Sequence, residues 1–296
     1  MTHLATPDAP LVWEVVTKAL TGGVDLRDLD LRPTAELVRL INAEDSTIAD
    51  AVAGATPEIA AAIDAISARL EAGGRFVYVG AGILGRIAAG DVAECGPTFS
   101  TDLISAVTTE VEAEEDDPEL ARLDAGADDV VLGVSASGRT PYTLGAIERA
   151  KEAGALTIGL ACVRDSALAI STDLAIEVDV GPEVIAGSTR MKAGTAQKLV
   201  LNTISTVAMV KLGKTFGNLM VDVQASNEKL RARARRAVAI ATAAPEEEVA
   251  AAIAAAGGDA KVAIVSLLAG VDAQTARSRL SAARGVIREA VGNVMG

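Results

Sequence analysis

The chain has 296 residues, 50% of them apolar but only 2% aromatic, so its core is aliphatic and its length suits roughly two domains of about 150 residues. Collagen-like, disordered and disulfide-scaffold classes do not fit this composition. A formal charge of −13, from 27 basic and 40 acidic residues, disfavours nucleic acid as a partner wherever a local basic patch is lacking.

The first extended pattern lies at residues 33–72, where Leu37, Leu40 and Ile41, then Ile59, Ile63, Ile66 and Leu70, recur at helical spacing. The period then shortens. Residues 76–79, 103–107, 130–134, 156–163 and 174–180 read as short strands of a buried parallel sheet. Helical stretches at 83–93 and 141–153 alternate with them, which predicts a doubly wound α/β sandwich with its ligand site in the loops after the strands. A long amphipathic helix is expected from Ser188 to about Leu212, its apolar side carrying Leu199, Leu201, Ile204 and Val207. After Pro245, Gly257-Gly258-Asp259 and Gly270-Val271-Asp272 separate short helices, and the glycines sit where helix C-caps need them. That predicts a small three-helix module.

Only two cysteines, Cys95 and Cys162, are present, without the spacing of a zinc site. A reducing cytoplasm is the expected compartment. The start of the chain lacks a basic segment followed by a long apolar run, and no stretch reaches about 18 uninterrupted apolar residues, so neither secretion nor membrane spanning is expected. The single histidine, His3, stands near the N-terminus, which leaves acid-base work to carboxylates, lysine or tyrosine. No metal site is predicted, because the acids of residues 112–117 follow no ligand spacing.

Two loops and two acidic sites carry the candidate chemistry. Gly80-Ala81-Gly82-Ile83-Leu84-Gly85 follows a strand and opens a helix, as in dinucleotide-binding turns. A dinucleotide also needs an acid about 20 residues on. Glu110 stands 28 positions past Gly82, a poor fit, and a tight turn that merely permits close packing is the alternative. The second loop, Ser135-Ala136-Ser137-Gly138-Arg139-Thr140-Pro141, offers hydroxyls, helix N-terminal amides and a guanidinium to an anion, as a phosphate monoester requires. Its plainer reading is helix capping by Thr140 ahead of Pro141. Glu94 sits among apolar neighbours that would desolvate it and suit it to general acid work. Glu115 lies within the acidic run 112–117, where spacing alone does not single it out from a solvated face.

Taken together, Gly80-Ala81-Gly82-x-x-Gly85-Arg86, Asp91-x-Ala93-Glu94-Cys95-x-Pro97-Thr98-Phe99, Glu115-Asp116-Asp117, Ala136-Ser137-Gly138-Arg139-Thr140-Pro141-Tyr142 and the stretch from Gly181-Pro182-Glu183 through Gly187-Ser188-Thr189-Arg190-Met191-Lys192 to Lys198 resemble the N-acetylmuramic acid 6-phosphate etherase family. The resemblance runs from about Pro33 to the C-terminus. It implies a sugar-isomerase (SIS) type αβα sandwich, divided into an N-terminal helical arm at 1–50, a phosphosugar-binding domain at 51–225 and a C-terminal helical module at 226–296. It implies a homodimer with sites near the subunit interface, and no cofactor. The implied reaction cleaves the D-lactyl ether of the sugar phosphate by elimination and hydration. Glu115 would be the base and Glu94 the acid, as proton abstraction beside a carbonyl and departure of an alkoxide require. Gly82 and the loop of Ser135, Ser137, Gly138, Arg139 and Thr140 would hold the phosphosugar, with Glu183, Ser188, Thr189 and Lys192 closing around it.

The chain departs from that family at three places. Ile83-Leu84 stands where Thr-Ser is usual, Leu11 to Val16 replaces a Thr-Glu-x-Arg-Asn-Pro stretch, and Val163-Arg164 replaces Asn-Pro after Cys162. A related carbon-oxygen lyase acting on another sugar, and a non-catalytic phosphosugar sensor, are the competing readings.

Overall fold

The computed structural model describes Leu26, residues 28–223 and residues 227–292. His3, the segment from Leu11 to Val16 and the first half of the expected N-terminal arm lie outside the described residues. The helical pattern of residues 33–72 is broken into α1 (Thr34–Asp45), α2 (Ile48–Gly54) and α3 (Thr56–Glu71). Side-chain hydroxyls make the breaks: Ser46 donates to the Ala43 carbonyl at 2.7 Å, Thr47 to Glu44 at 2.8 Å and Thr56 to Ala53 at 2.7 Å, competing with the helical ladder.

The sheet contains β1 (Phe76–Gly80), β2 (Ile104–Thr108), β3 (Val130–Val134), β4 (Leu156–Ala161) and β5 (Leu174–Glu177) in the order β2-β1-β3-β4-β5. Strands β1, β3, β4 and β5 are parallel neighbours, with Gly80 paired to Val134 and Val134 to Leu160. Alternation of side chains sorts the core into two faces. On one, Val77, Val79 and Val131 pack with Tyr142, Ala146, Ile147 and Ala150 of α5 (Pro141–Glu152). Gly133 lets α5 approach, since a Cβ there would stand 3.0 Å from Thr143 and Ile147. On the other, the Phe76 and Tyr78 rings meet edge to face at 4.6 Å. The Tyr78 hydroxyl donates to Asp91 on α4 (Gly82–Phe99) at 3.1 Å. The predicted doubly wound architecture is present.

Several elements differ from expectation. Helix α4 runs past Ala93 to Phe99, with Pro97 in its last turn. Strand β5 stops at Glu177 rather than at residue 180, because its neighbour β4 ends at Ala161, the register partner of Glu177. Between β4 and β5 the short α6 (Ala167–Ser171) is capped by Ser166. The long helix α7 (Lys192–Lys211) starts four residues late, since Ser188 to Met191 form turns and the cap comes from elsewhere in the chain.

The described residues form two compact units, those up to Asp91 with Ser105–Ile204, and Val92–Ile104 with those from Ser205 onward, so both units are discontinuous in sequence. The second holds a hairpin, β6 (Thr215–Phe216) and β7 (Leu219–Met220), that the sequence reading missed although Gly217-Asn218 is a fitting two-residue turn. It also holds α8 (Glu228–Thr242), α9 (Glu246–Ala255), α10 (Ala260–Ala269), α11 (Ala273–Ala282) and α12 (Ile287–Val291). Among the described residues four helices therefore follow Pro245, not three, because Gly285 and Val286 separate a last short turn that packs Ile287, Ala290 and Val291 into the core. Gly270 caps α10 at φ 63°, and Asp259 and Asp272 cap the helices that follow the two glycine breaks.

Candidate active site

In a sheet of this order the crevice opens at the carboxyl ends of β1 and β3, where the chain leaves toward opposite faces. The two candidate loops start there, side by side, because Gly80 and Val134 are register partners. Two glycines of the first loop have distinct reasons. Gly82 adopts φ +55°, and a Cβ on Gly85 would collide with the Gly80 carbonyl, so α4 springs directly from the strand end. The Gly82 amide donates to the buried hydroxyl of Thr109 at 3.0 Å.

The structure separates the acids that spacing left equivalent. In the 3-10 turn Glu112–Asp116, the Glu114 carboxylate accepts from the Glu110 amide at 2.8 Å and the Val111 amide at 3.3 Å, so it closes its own turn. The half-buried Glu115 instead lies with its carboxylate against Gly82, where a Cβ would clash with its Oε1. A pyrophosphate at the first glycine loop would meet this negative charge, which removes the dinucleotide reading on electrostatic grounds.

The second loop gathers hydroxyls and amides ahead of a helix N-terminus. The buried Ser135 hydroxyl lies 2.8 Å from that of Thr140, the N-cap residue of α5, whose side chain makes no cap bond. The capping reading of Thr140 is therefore not how its hydroxyl is used. The Ser137 hydroxyl accepts from the Arg139 amide at 3.3 Å and the Gly138 amide donates to the Ser135 carbonyl at 3.2 Å, so the loop coils tightly ahead of the helix N-terminus. Gly138, at φ +63°, is backed by Ser166, which would clash with any Cβ there. Ser166 is itself fixed by Glu177, whose Oε1 accepts its amide at 2.9 Å and its hydroxyl at 3.0 Å.

At the start of α7 the buried Glu183 carboxylate accepts the Lys192 amide at 2.9 Å and the Ala193 amide at 3.0 Å. It thus takes the first two amides of the helix from outside the turn that precedes it. Lys192, 3% exposed, turns its ammonium to Glu44 of α1 at 2.7 Å. Ser188 and Thr189 are half-buried in the turn before the helix, and Thr189 accepts the Gly194 amide at 2.8 Å. Gly82, Glu115, Ser135, Ser137, Gly138, Arg139, Thr140, Glu183, Ser188, Thr189 and Lys192 all belong to the first unit, and Glu94 to the second. Glu94 is exposed on α4, so the desolvation expected from its sequence neighbours does not occur within α4. Burial pushes the Cys162 thiol far above its ordinary range, which makes it inert as a nucleophile. Among the described residues no group of three or more His, Cys, Asp or Glu is placed to hold a metal ion. No single described helix is long and apolar enough to cross a membrane.

The SIS domain family matches residues 74–207, the segment that carries both loops and the first part of α7. The chain is 53% identical to the N-acetylmuramic acid 6-phosphate etherase of Streptomyces coelicolor, over 92% of each chain. The chain belongs to the N-acetylmuramic acid 6-phosphate etherase family. It is also 55% identical to the etherases of Streptomyces avermitilis and Rubrobacter xylanophilus, over 90% of this chain and 91% and 93% of theirs. A solved chain of E. coli CFT073, in complex with A5P, is 25% identical with a TM-score of 0.47, over 60% of this chain and 93% of that one. Within this etherase-family chain, sequence reasoning missed Glu44, Thr109 and Ser166, which stand against candidate site residues, and Glu177, which fixes Ser166. Glu44 sits in an ordinary polar stretch of α1, 148 positions from Lys192, and no local signal marks it.

Proposed function

We propose that this protein is a cofactor-independent carbon-oxygen lyase that converts N-acetylmuramic acid 6-phosphate to N-acetylglucosamine 6-phosphate and D-lactate. The observation that carries this reading is the Glu115 carboxylate against Gly82 at the sheet crevice, beside the hydroxyl cradle of the next loop, in a member of the etherase family. The cradle of Ser135, Ser137, Gly138, Arg139 and Thr140 holds the 6-phosphate, where helix amides and hydroxyls donate to its oxygens. With the sugar in its open-chain form, Glu115 takes the proton from the carbon bearing the N-acetyl group. The electron pair moves to expel lactate from the adjacent carbon, and Glu94 protonates the departing oxygen. Water then adds across the double bond, activated by the ionised Glu94, and the proton held on Glu115 returns to the neighbouring carbon. Ser188 and Thr189 of the turn before α7 close around the sugar, and Glu183 and Lys192, buried and bonded within the protein, hold that turn and the start of α7 in place.

The working form is a homodimer. Support comes from α7, where Leu199, Thr203, Thr206, Val207 and Val210 form one exposed stripe at helical spacing without a charged side chain. The cytoplasm is the proposed compartment, in keeping with two buried free thiols, Cys95 and Cys162.

The test is release of D-lactate from the family substrate together with deuterium uptake from heavy water at the N-acetyl-bearing carbon. Glu115→Gln is expected to abolish both. Glu94→Gln is expected to stop lactate release and retain exchange. Full turnover by both variants sinks the assignment of roles.

A further inference from the structure

Positive charge gathers on one helix of the second unit. In a chain of net charge −13, α8 carries Lys229, Arg231, Arg233, Arg235 and Arg236, all exposed, against Glu228 alone. Helical spacing divides them: Arg231 and Arg235, at i and i+4, share one side, while Lys229, Arg233 and Arg236 point elsewhere. The shared side borders a pocket of about 550 Å3. Its floor is Ala234 of α8 with Ala250, Ile253 and Ala254 of α9, and its end is the Gly257-Gly258 turn. Both glycines take positive φ, 68° and 91°. A third guanidinium stands at that end, since Arg277 donates to the Ala256 carbonyl and its Nη2 would lie 3.6 Å from a Cβ on Gly257. The acids of α9, Glu246, Glu247 and Glu248, occupy its first turn, at the opposite end of the helix from the glycines.

A solvated basic helix needs no concave apolar floor, and a core groove needs no pair of guanidinium groups on its rim. The combination is what a small organic anion requires: planar forks for an oxyanion and apolar surface for the body attached to it. The volume falls within the range of about 300 to 1,000 Å3 usual for small-molecule sites. We propose that this pocket is a second ligand site, separate from the lyase chemistry, that takes a small organic dianion with a phosphate monoester as its preferred head group.

Titration calorimetry on the full chain tests this with glycerol 3-phosphate as the monoester and succinate as a dicarboxylate of similar charge. Wild type should show a binding component for glycerol 3-phosphate that R231Q/R235Q weakens by roughly tenfold or more and that raised salt also weakens. Basal lactate release should be unchanged in that variant. Ala254→Trp keeps every charge but fills the pocket at an exposed position, and it should remove the same component. Ser135→Ala, in the crevice, should leave it intact. Equal binding by wild type and R231Q/R235Q overturns the proposal. So does full binding by Ala254→Trp, which would assign the attraction to surface charge rather than to the pocket. Tighter binding of succinate than of glycerol 3-phosphate overturns the phosphate preference.

Discussion

Gly82 answers to two constraints at once. Its φ of +55° lies in the left-handed region that costs a residue with a Cβ about 1 to 2 kcal/mol, and the space a Cβ needs is taken by the Glu115 carboxylate. Gly82→Ala is therefore expected to lower turnover by more than it lowers stability, because the displaced group is the proposed base. Urea unfolding and lactate release measured on the same variant check this, and wild-type turnover in it would detach Glu115 from the chemistry. Asp129 shows the opposite kind of carboxylate, one used for structure. It accepts the Arg75 amide at 2.8 Å and the Arg75 guanidinium at 2.8 Å, at the ends of β1 and β3 away from the crevice. The hydrogen bonds from the Arg75 side chain are the main cause that holds its carboxyl down to about 2, against the upward push of burial. An unfolded aspartate titrates near 3.9. Stability from this pair is thus fully present above about pH 4 and is lost as pH falls through about 2. Asp129→Asn should cost about 2 kcal/mol at pH 7, with the gap to wild type shrinking in unfolding titrations between pH 4 and 2. A constant gap across that window contradicts the pairing.

At the scale of elements, the chain caps its helices in two ways. Asp259, Asp272, Asn227 and Ser166 cap locally, each accepting an amide three residues on, and these caps follow from short-range spacing. Helix α7 is capped from a distance by Glu183, which explains why its predicted start was early: Ser188 and Thr189 carry a cap signal, but the amides at the helix start go to a carboxylate nine residues upstream of Lys192. Helix α8 ends less well. Ala243 occupies its C-cap at φ 53°, the left-handed conformation that glycine adopts without a Cβ penalty. Ala243→Gly should raise stability by about 1 kcal/mol, measured as a higher urea midpoint with unchanged slope. A loss of stability there means that unfolded-chain entropy outweighs relief of the backbone.

For the whole molecule, the exposed stripe on α7 is the feature that a lone chain leaves unexplained. Leu199 is 40% exposed and Val210 45% exposed, and the charged residues that usually cover an outer helix face are missing between them. Leu199→Glu should therefore convert a dimer to monomer in sedimentation velocity, with the helical signal in circular dichroism retained. A monomeric wild type, or a dimeric variant, places the interface elsewhere. If subunit contact shapes the site, the same substitution should also reduce lactate release.

The amino-acid order alone set the alternation of strand and helix, the positions of β1, β3 and β4, the glycine and hydroxyl loops after two of them, and the short helices behind aspartate caps. Those features arise from interactions between near neighbours: side-chain period, turn chemistry and caps reach only a few residues along the chain. What only the folded chain decided are the relations over long separations. It brought β1 beside β3, chose Glu115 over Glu114 by setting one against Gly82 and turning the other into its own backbone, gave Lys192 to Glu44, and tied Gly138 to Glu177 through Ser166. Sequence spacing carries no term for such pairs, since their energies depend on which surfaces the sheet order places face to face.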